Sequence, residues 1–124
     1  MRQDRGFTLI ELLVVMAVVA MLLSIVAPRY MSQADRAREA VLRENLSGLR
    51  AAIDQYQADK GGYPATLQEL VDKRYLRKMP LDPITNKTTT WEVVTTDEDG
   101  KPVVYDVKSG APGAGLDGSA YKSW

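Results

Sequence analysis

From Phe7 to Ala27 the chain runs for about 21 residues with one charge, Glu11. An α-helix rises 1.5 Å per residue, so a run of this length crosses the hydrocarbon core of a bilayer. Few folds tolerate such a segment at one end of a small chain. Glu11 is the anomaly within it. A carboxylate at the centre of a membrane helix costs about 2.5–3.5 kcal/mol on insertion scales, so it calls for a partner. The plainer alternative is a glutamate near the helix end that reaches back to the interface. The run does not read as an ordinary secretory signal, whose apolar region is shorter and is followed by a small-residue cleavage site. Charge does not settle orientation, because Arg2 and Arg5 flank one end and Arg29, Arg36 and Arg38 the other.

At 124 residues there is room for this segment and one small domain. Lysine plus arginine number 16, as do aspartate plus glutamate, so no polyanionic partner and no nucleic acid is expected. The chain has no cysteine and no histidine. That excludes disulfide staples, Ser-His-Asp and Cys-His catalysis, and the usual zinc ligand sets.

Beyond the apolar run, Pro28 leaves two readings open: a kink or local unwinding of a continuing helix, or a simple end to the membrane helix. From Arg29 to Lys60 the pattern is helical, with Leu42, Leu46, Leu49, Ile53 and Tyr56 on one face. Glu39 with Arg43, and Arg50 with Asp54, are expected as one-turn ion pairs on the outer faces. Gly61-Gly62 stops the helix. Thr66 and Glu69 form a capping-box pair for a short second helix carrying Leu67, Leu70 and Val71. Lys73, Arg74, Arg77 and Lys78 then form a basic cluster, read as a solvated face with a docking patch as the minority alternative. Met79-Pro80-Leu81-Asp82-Pro83 must be loop or extended chain.

From Thr88 the pattern becomes strand-like. Trp91, Val93 and Thr95 alternate with Glu92, Val94 and Thr96, Asp97-Glu98-Asp99-Gly100 is a turn, and Val103–Val107 returns. This predicts an antiparallel hairpin packed on the long helix. The expected core joins Leu46, Leu49, Ile53 and Tyr56 to Leu70, Trp91 and Val103. The acidic turn is read as an exposed hairpin tip rather than a calcium loop. The tail from Ser109 is rich in glycine, and Tyr121 and Trp124 are expected to fold back over the sheet.

Gly6-Phe7-Thr8-Leu9-Ile10-Glu11 resembles the processing site of class III signal peptides, found on type IV pilins and type II secretion pseudopilins. Gly62-Tyr63-Pro64, Leu70, Tyr75-Leu76, Pro80, Asp82-Pro83, Tyr105-Asp106-Val107 and the glycine-rich tail with its Trp are similar to the major, G-type, pseudopilin of type II secretion. The resemblance implies an α+β, type IV pilin-like fold: a long hydrophobic spine helix packed on a small antiparallel sheet. It implies a leader at 1–6, a transmembrane and polymerisation segment at 7–28, and a periplasmic globular domain at 29–124. A prepilin peptidase would cut between Gly6 and Phe7, and Phe7 would then be N-methylated. In a polymer, Glu11 of one subunit would meet the Phe7 amine of its neighbour. The implied partners are further copies of the chain, minor pseudopilins, the prepilin peptidase and an inner-membrane assembly platform. The implied location is the inner membrane, single-pass, with the bulk of the chain and the assembled pseudopilus in the periplasm.

G-type pseudopilins commonly bind calcium through a longer acidic and glycine-rich C-terminal loop. Here only Asp117 lies in that loop, with Asp106 just upstream. Calcium favours six to eight oxygens, so Ser119 and backbone carbonyls would have to complete a site on Asp117 and Asp106.

The leading function on this reading is a structural subunit, not an enzyme, of a periplasmic pseudopilus that drives protein export through the outer membrane. The alternative is a type IV pilin or minor pilin for adhesion, motility or DNA uptake. A single-pass enzyme or sensor would need a pocket of convergent titratable groups, for which the residue types are missing.

Overall fold

The computed structural model describes residues 6–124, with the backbone alone over 28–31. Met1–Arg5 of the expected leader lie outside the described residues. Contacts divide the chain into two units, Met1–Asp35 and Arg36–Trp124. One helix, α1 (Leu9–Lys60), contributes to both.

In the first unit every described side chain from Gly6 to Ala27 is exposed. The helix begins where Thr8 caps it. The Thr8 Oγ1 accepts from the Glu11 N–H at 3.2 Å, and the Leu12 N–H reaches the Thr8 carbonyl at 3.1 Å. Helical backbone continues through Pro28, so the reading of Pro28 as a helix end is corrected. Proline lacks the N–H that would serve the Ser24 carbonyl, but one missing bond does not terminate a helix supported on both sides.

In the second unit the apolar stripe of α1 forms the core as the helical period predicts. Leu42, Leu46, Leu49, Ile53 and Tyr56 are all buried, joined by Ala52. Gly61, with φ 76, ends the helix, and its N–H reaches the Gln57 carbonyl at 2.9 Å. The short helix α2 (Leu67–Asp72) lays Leu67 and Leu70 onto the stripe. Its cap is the expected pair in modified form. Thr66 Oγ1 accepts from the Glu69 N–H, while Glu69 reaches back to the Ala65 N–H at 2.8 Å rather than to Thr66. The other oxygen of Glu69 accepts the Tyr56 hydroxyl at 2.9 Å, tying α2 to α1.

The sheet is a two-stranded antiparallel hairpin, β1 (Trp91–Glu98) and β2 (Lys101–Ser109). Asp99 and Gly100, both at positive φ (53 and 77), form its two-residue loop, the backbone that matches the twist of paired strands. Val94 pairs with Asp106 but Thr95 pairs with Val104, so Tyr105 is an extra residue in β2. This bulge breaks the expected alternation on β2, while β1 departs from it on its own account. Trp91 is buried, but Val93 is exposed and Val94 only half-buried. On β2, Val103, Val104, Val107 and Ser109 are buried, and Val104 and Val107 join the core cluster. Val103 is buried as expected but lies outside that cluster. A bulge shifts the side-chain period by one residue, which strict period-two reading does not register.

The loop between α2 and β1 is organised by Asp82, which is fully buried. Its Oδ1 accepts from the Ile84 N–H at 2.8 Å and its Oδ2 from the Ser109 hydroxyl at 2.8 Å. Trp91 Nε1 donates to the Pro80 carbonyl at 2.8 Å, so the proline-rich segment is held on the sheet from both ends.

Candidate functional site

The residues expected to act in assembly lie at the start of α1. Gly6 and Phe7 precede the helix in irregular backbone, and Phe7 is 83% exposed. Thr8 is the cap, so the Gly6–Phe7 bond stays outside the helix. Glu11 sits in the first turn, where a carboxylate is favoured by the positive end of the helix dipole. Around it Phe7, Leu9, Ile10, Leu12, Leu13 and Val14 are all exposed. The apolar run continues so to Val26. A continuous apolar surface of this extent marks a segment that is covered by lipid or by protein. It is also long and apolar enough to cross a membrane.

In the second unit the C-terminal segment, residues 110–124, is held against one side of α1. It ends in a turn of 3-10 helix, Tyr121–Ser123. Glu39 accepts from the Leu116 N–H at 2.8 Å and the Tyr121 hydroxyl at 3.1 Å. Arg43 lies over the Trp124 ring, 3.8 Å from its centre, and 3.8 Å from Asp117. Arg50 donates to Asp106 and to the Val107 carbonyl, each at 3.0 Å, and to the Trp124 carbonyl. The ion pairs expected within α1 are therefore corrected. Among the described residues, the ion pairs are Arg43–Asp117, Arg50–Asp106 and Lys122–Glu92. Glu39, Arg43 and Arg50 turn to the tail because tertiary structure offers them better-fixed partners than a solvated neighbour one turn away. Trp124 is half-buried against α1, and Tyr121 meets its ring edge-on at 5.0 Å.

Asp117, Ser119 and Asp106, the residues considered for calcium, are engaged otherwise. Asp117 Oδ1 accepts from both the N–H and the hydroxyl of Ser119, at 2.9 and 2.6 Å. These bonds, with Arg43 in support, hold the Asp117 carboxyl below its ordinary pKa. The Ser119 oxygen itself accepts from Trp124 Nε1 at 2.7 Å. Asp106 Oδ1 accepts from Arg50 and from the Val107 N–H at 2.8 Å. No cluster of three or more metal-ligating side chains forms among the described residues. Calcium needs six to eight oxygens, and this donor set, with a guanidinium beside each carboxylate, does not fit it.

Sequence reasoning missed Asp82, whose partner Ser109 is 27 residues away. It also missed that Glu39, Arg43 and Arg50 form a common docking strip. Their spacing of four and seven residues places them on one helical face, which was the available signal.

Two family models match the chain. The prokaryotic N-terminal methylation motif covers residues 1–27, and the type II secretion system (T2SS) protein G family covers residues 29–115. Among the curated relatives is the type II secretion system core protein G of Pseudomonas aeruginosa, 37% identical over 98 residues, which are 66% of this chain and 69% of the relative. That of Klebsiella pneumoniae is 33% identical over 99 residues, 67% and 71% of the two chains. That of Vibrio cholerae is 28% identical over 136 residues, 94% and 91%. No solved structure matches significantly. A capped apolar helix start that falls within the methylation motif, and a small α+β unit that matches protein G, place the chain in the type II secretion system protein G family.

Proposed function

We propose that the chain is the structural subunit of a type II secretion pseudopilus, stored in the inner membrane and polymerised in the periplasm to drive protein export. The observation that carries this reading is the start of α1: an apolar stretch, exposed from Leu9 to Ala27, with one carboxylate, Glu11, in its first turn, all within the matched methylation motif. A prepilin peptidase cuts between Gly6 and Phe7, and the new Phe7 amine is methylated. Within the polymer, Phe7–Val26 of each subunit is covered by its neighbours. Glu11 neutralises the Phe7 ammonium of the adjacent copy. Minor pseudopilins and an inner-membrane platform are the further partners, and the subunit performs no catalysis of its own.

The test is Glu11→Ala. Removing one member of a buried charge pair costs about 3–5 kcal/mol, because the other charge is stranded. The variant should be processed and inserted as usual yet yield no sheared filaments on overproduction. Filament yield equal to that of the unmodified protein would reject the pairing.

A further inference from the structure

Two carboxylates, Asp117 in the tail and Asp106 on β2 just upstream, in an electrostatic sense need a cation. Each has one already, on α1. Arg43 lies beside Asp117, and Arg50 donates directly to Asp106. We infer that residues 110–124 are fastened to α1 by contacts within the protein alone, Arg43 and Arg50 serving where a calcium ion would otherwise neutralise the Asp117 and Asp106 carboxylates. The protein therefore folds and retains its tail independently of calcium.

Four features of the geometry support this. Arg43 is fixed by two different interactions, its charge towards Asp117 and its flat face on the Trp124 ring, a use of guanidinium that lysine does not reproduce. Arg50 reaches the side chain of Asp106 and the carbonyls of Val107 and Trp124 together, so one residue joins β2 and the end of the tail to α1. Glu39 adds a tie of opposite sign, accepting from Leu116 and Tyr121. The Trp124 indole closes the loop on itself through Ser119, which binds Asp117. The fit is close. A Cβ added at Gly115 would come within 2.5 Å of the Trp124 ring and 3.1 Å of Glu39. Asp117 Oδ1 already accepts twice from Ser119, and a divalent ion on Oδ2 would sit beside the Arg43 guanidinium, where like charge repels it.

Hydrogen exchange, read by mass spectrometry on the full chain in detergent micelles, reports how often a segment opens. The reading is taken on the monomer, so it stands or falls separately from the filament role. In the unmodified protein, exchange over residues 110–124 should be the same in millimolar calcium as in excess chelator. Slowing by calcium of about tenfold, equivalent to 1.4 kcal/mol, would overturn the inference. Arg43→Gln and Arg50→Gln should each speed exchange over 110–124 by about tenfold, while the amides of α2 and of the Asp99-Gly100 turn keep their rates. Unchanged exchange in both variants would likewise overturn it. Where a variant unfolds outright, the calcium comparison on the unmodified chain still decides.

Discussion

Asp82 has no exposed surface, and its two oxygens are shared between the Ile84 N–H and the Ser109 hydroxyl. Asp82→Ala strands both donors, each at about 1–3 kcal/mol. Thermal or denaturant unfolding should show a loss of that order. Asp82→Asn retains an acceptor for Ile84 and should lose less. Nothing in Pro80-Leu81-Asp82-Pro83 marked the aspartate as buried, because burial depends on Ser109 arriving from the far strand. Tyr56 and Tyr75 give a second prediction at this scale. Desolvation first, then hydrogen bonds to Glu69 and Asp59 respectively, raises both phenols above their ordinary value. A raised folded-state value favours the neutral form. Its stabilising effect is therefore complete below the ordinary phenol range, about pH 10, and is lost as pH rises through the higher folded-state values. An alkaline unfolding titration should show stability falling above that range. The fall should be shallower in Tyr56→Phe.

Among the elements, α1 was the most legible. Its stripe from Leu42 to Tyr56 follows from the 3.6-residue period alone, because each side chain falls on one face whatever covers it. Ile53 lies at the centre of that face and is fully buried. Ile53→Ala should cost about 2–5 kcal/mol, read as a lowered melting temperature of the full chain in detergent. An unchanged melting temperature would place the stripe on the wrong face. The hairpin was legible as a hairpin, since Asp99-Gly100 announces its turn. Its buried face was not, because the extra residue Tyr105 breaks the alternation between Val104 and Asp106. The tail was legible only as apolar enough to fold back. That its polar contacts fall on Glu39, Arg43 and Arg50 required knowing which side of α1 it meets.

For the molecule as a whole, the proposed cleavage between Gly6 and Phe7 is the decisive prediction. Mass spectrometry of the membrane-extracted protein should find a chain beginning at N-methylated Phe7. An intact Met1 in cells with an active prepilin peptidase would contradict the proposed processing. Gly6→Val should leave the leader attached, because a side chain there obstructs approach to the scissile backbone. The Gly6–Glu11 segment was legible because its residues are contiguous and its chemistry is local. What lies on the other side of Phe7–Val26 was not, since lipid and a neighbouring copy ask for the same apolar surface.

The two-stranded sheet has a consequence for how copies of the chain meet. The outer side of β2 is partly taken, because the Val104 N–H donates to the Pro64 carbonyl at 2.8 Å. The outer side of β1 carries no backbone hydrogen bond among the described residues. An open edge is a template on which a second chain can add a strand without limit. Glu92, Asp97 and Glu98 give β1 a run of negative charge and no positive one. Two such edges meeting antiparallel would repel. With Lys108 and Lys101 of β2 paired across from Glu92 and Glu98, the open edge itself carries only acidic charges, which disfavours adding a second copy of the same strand there.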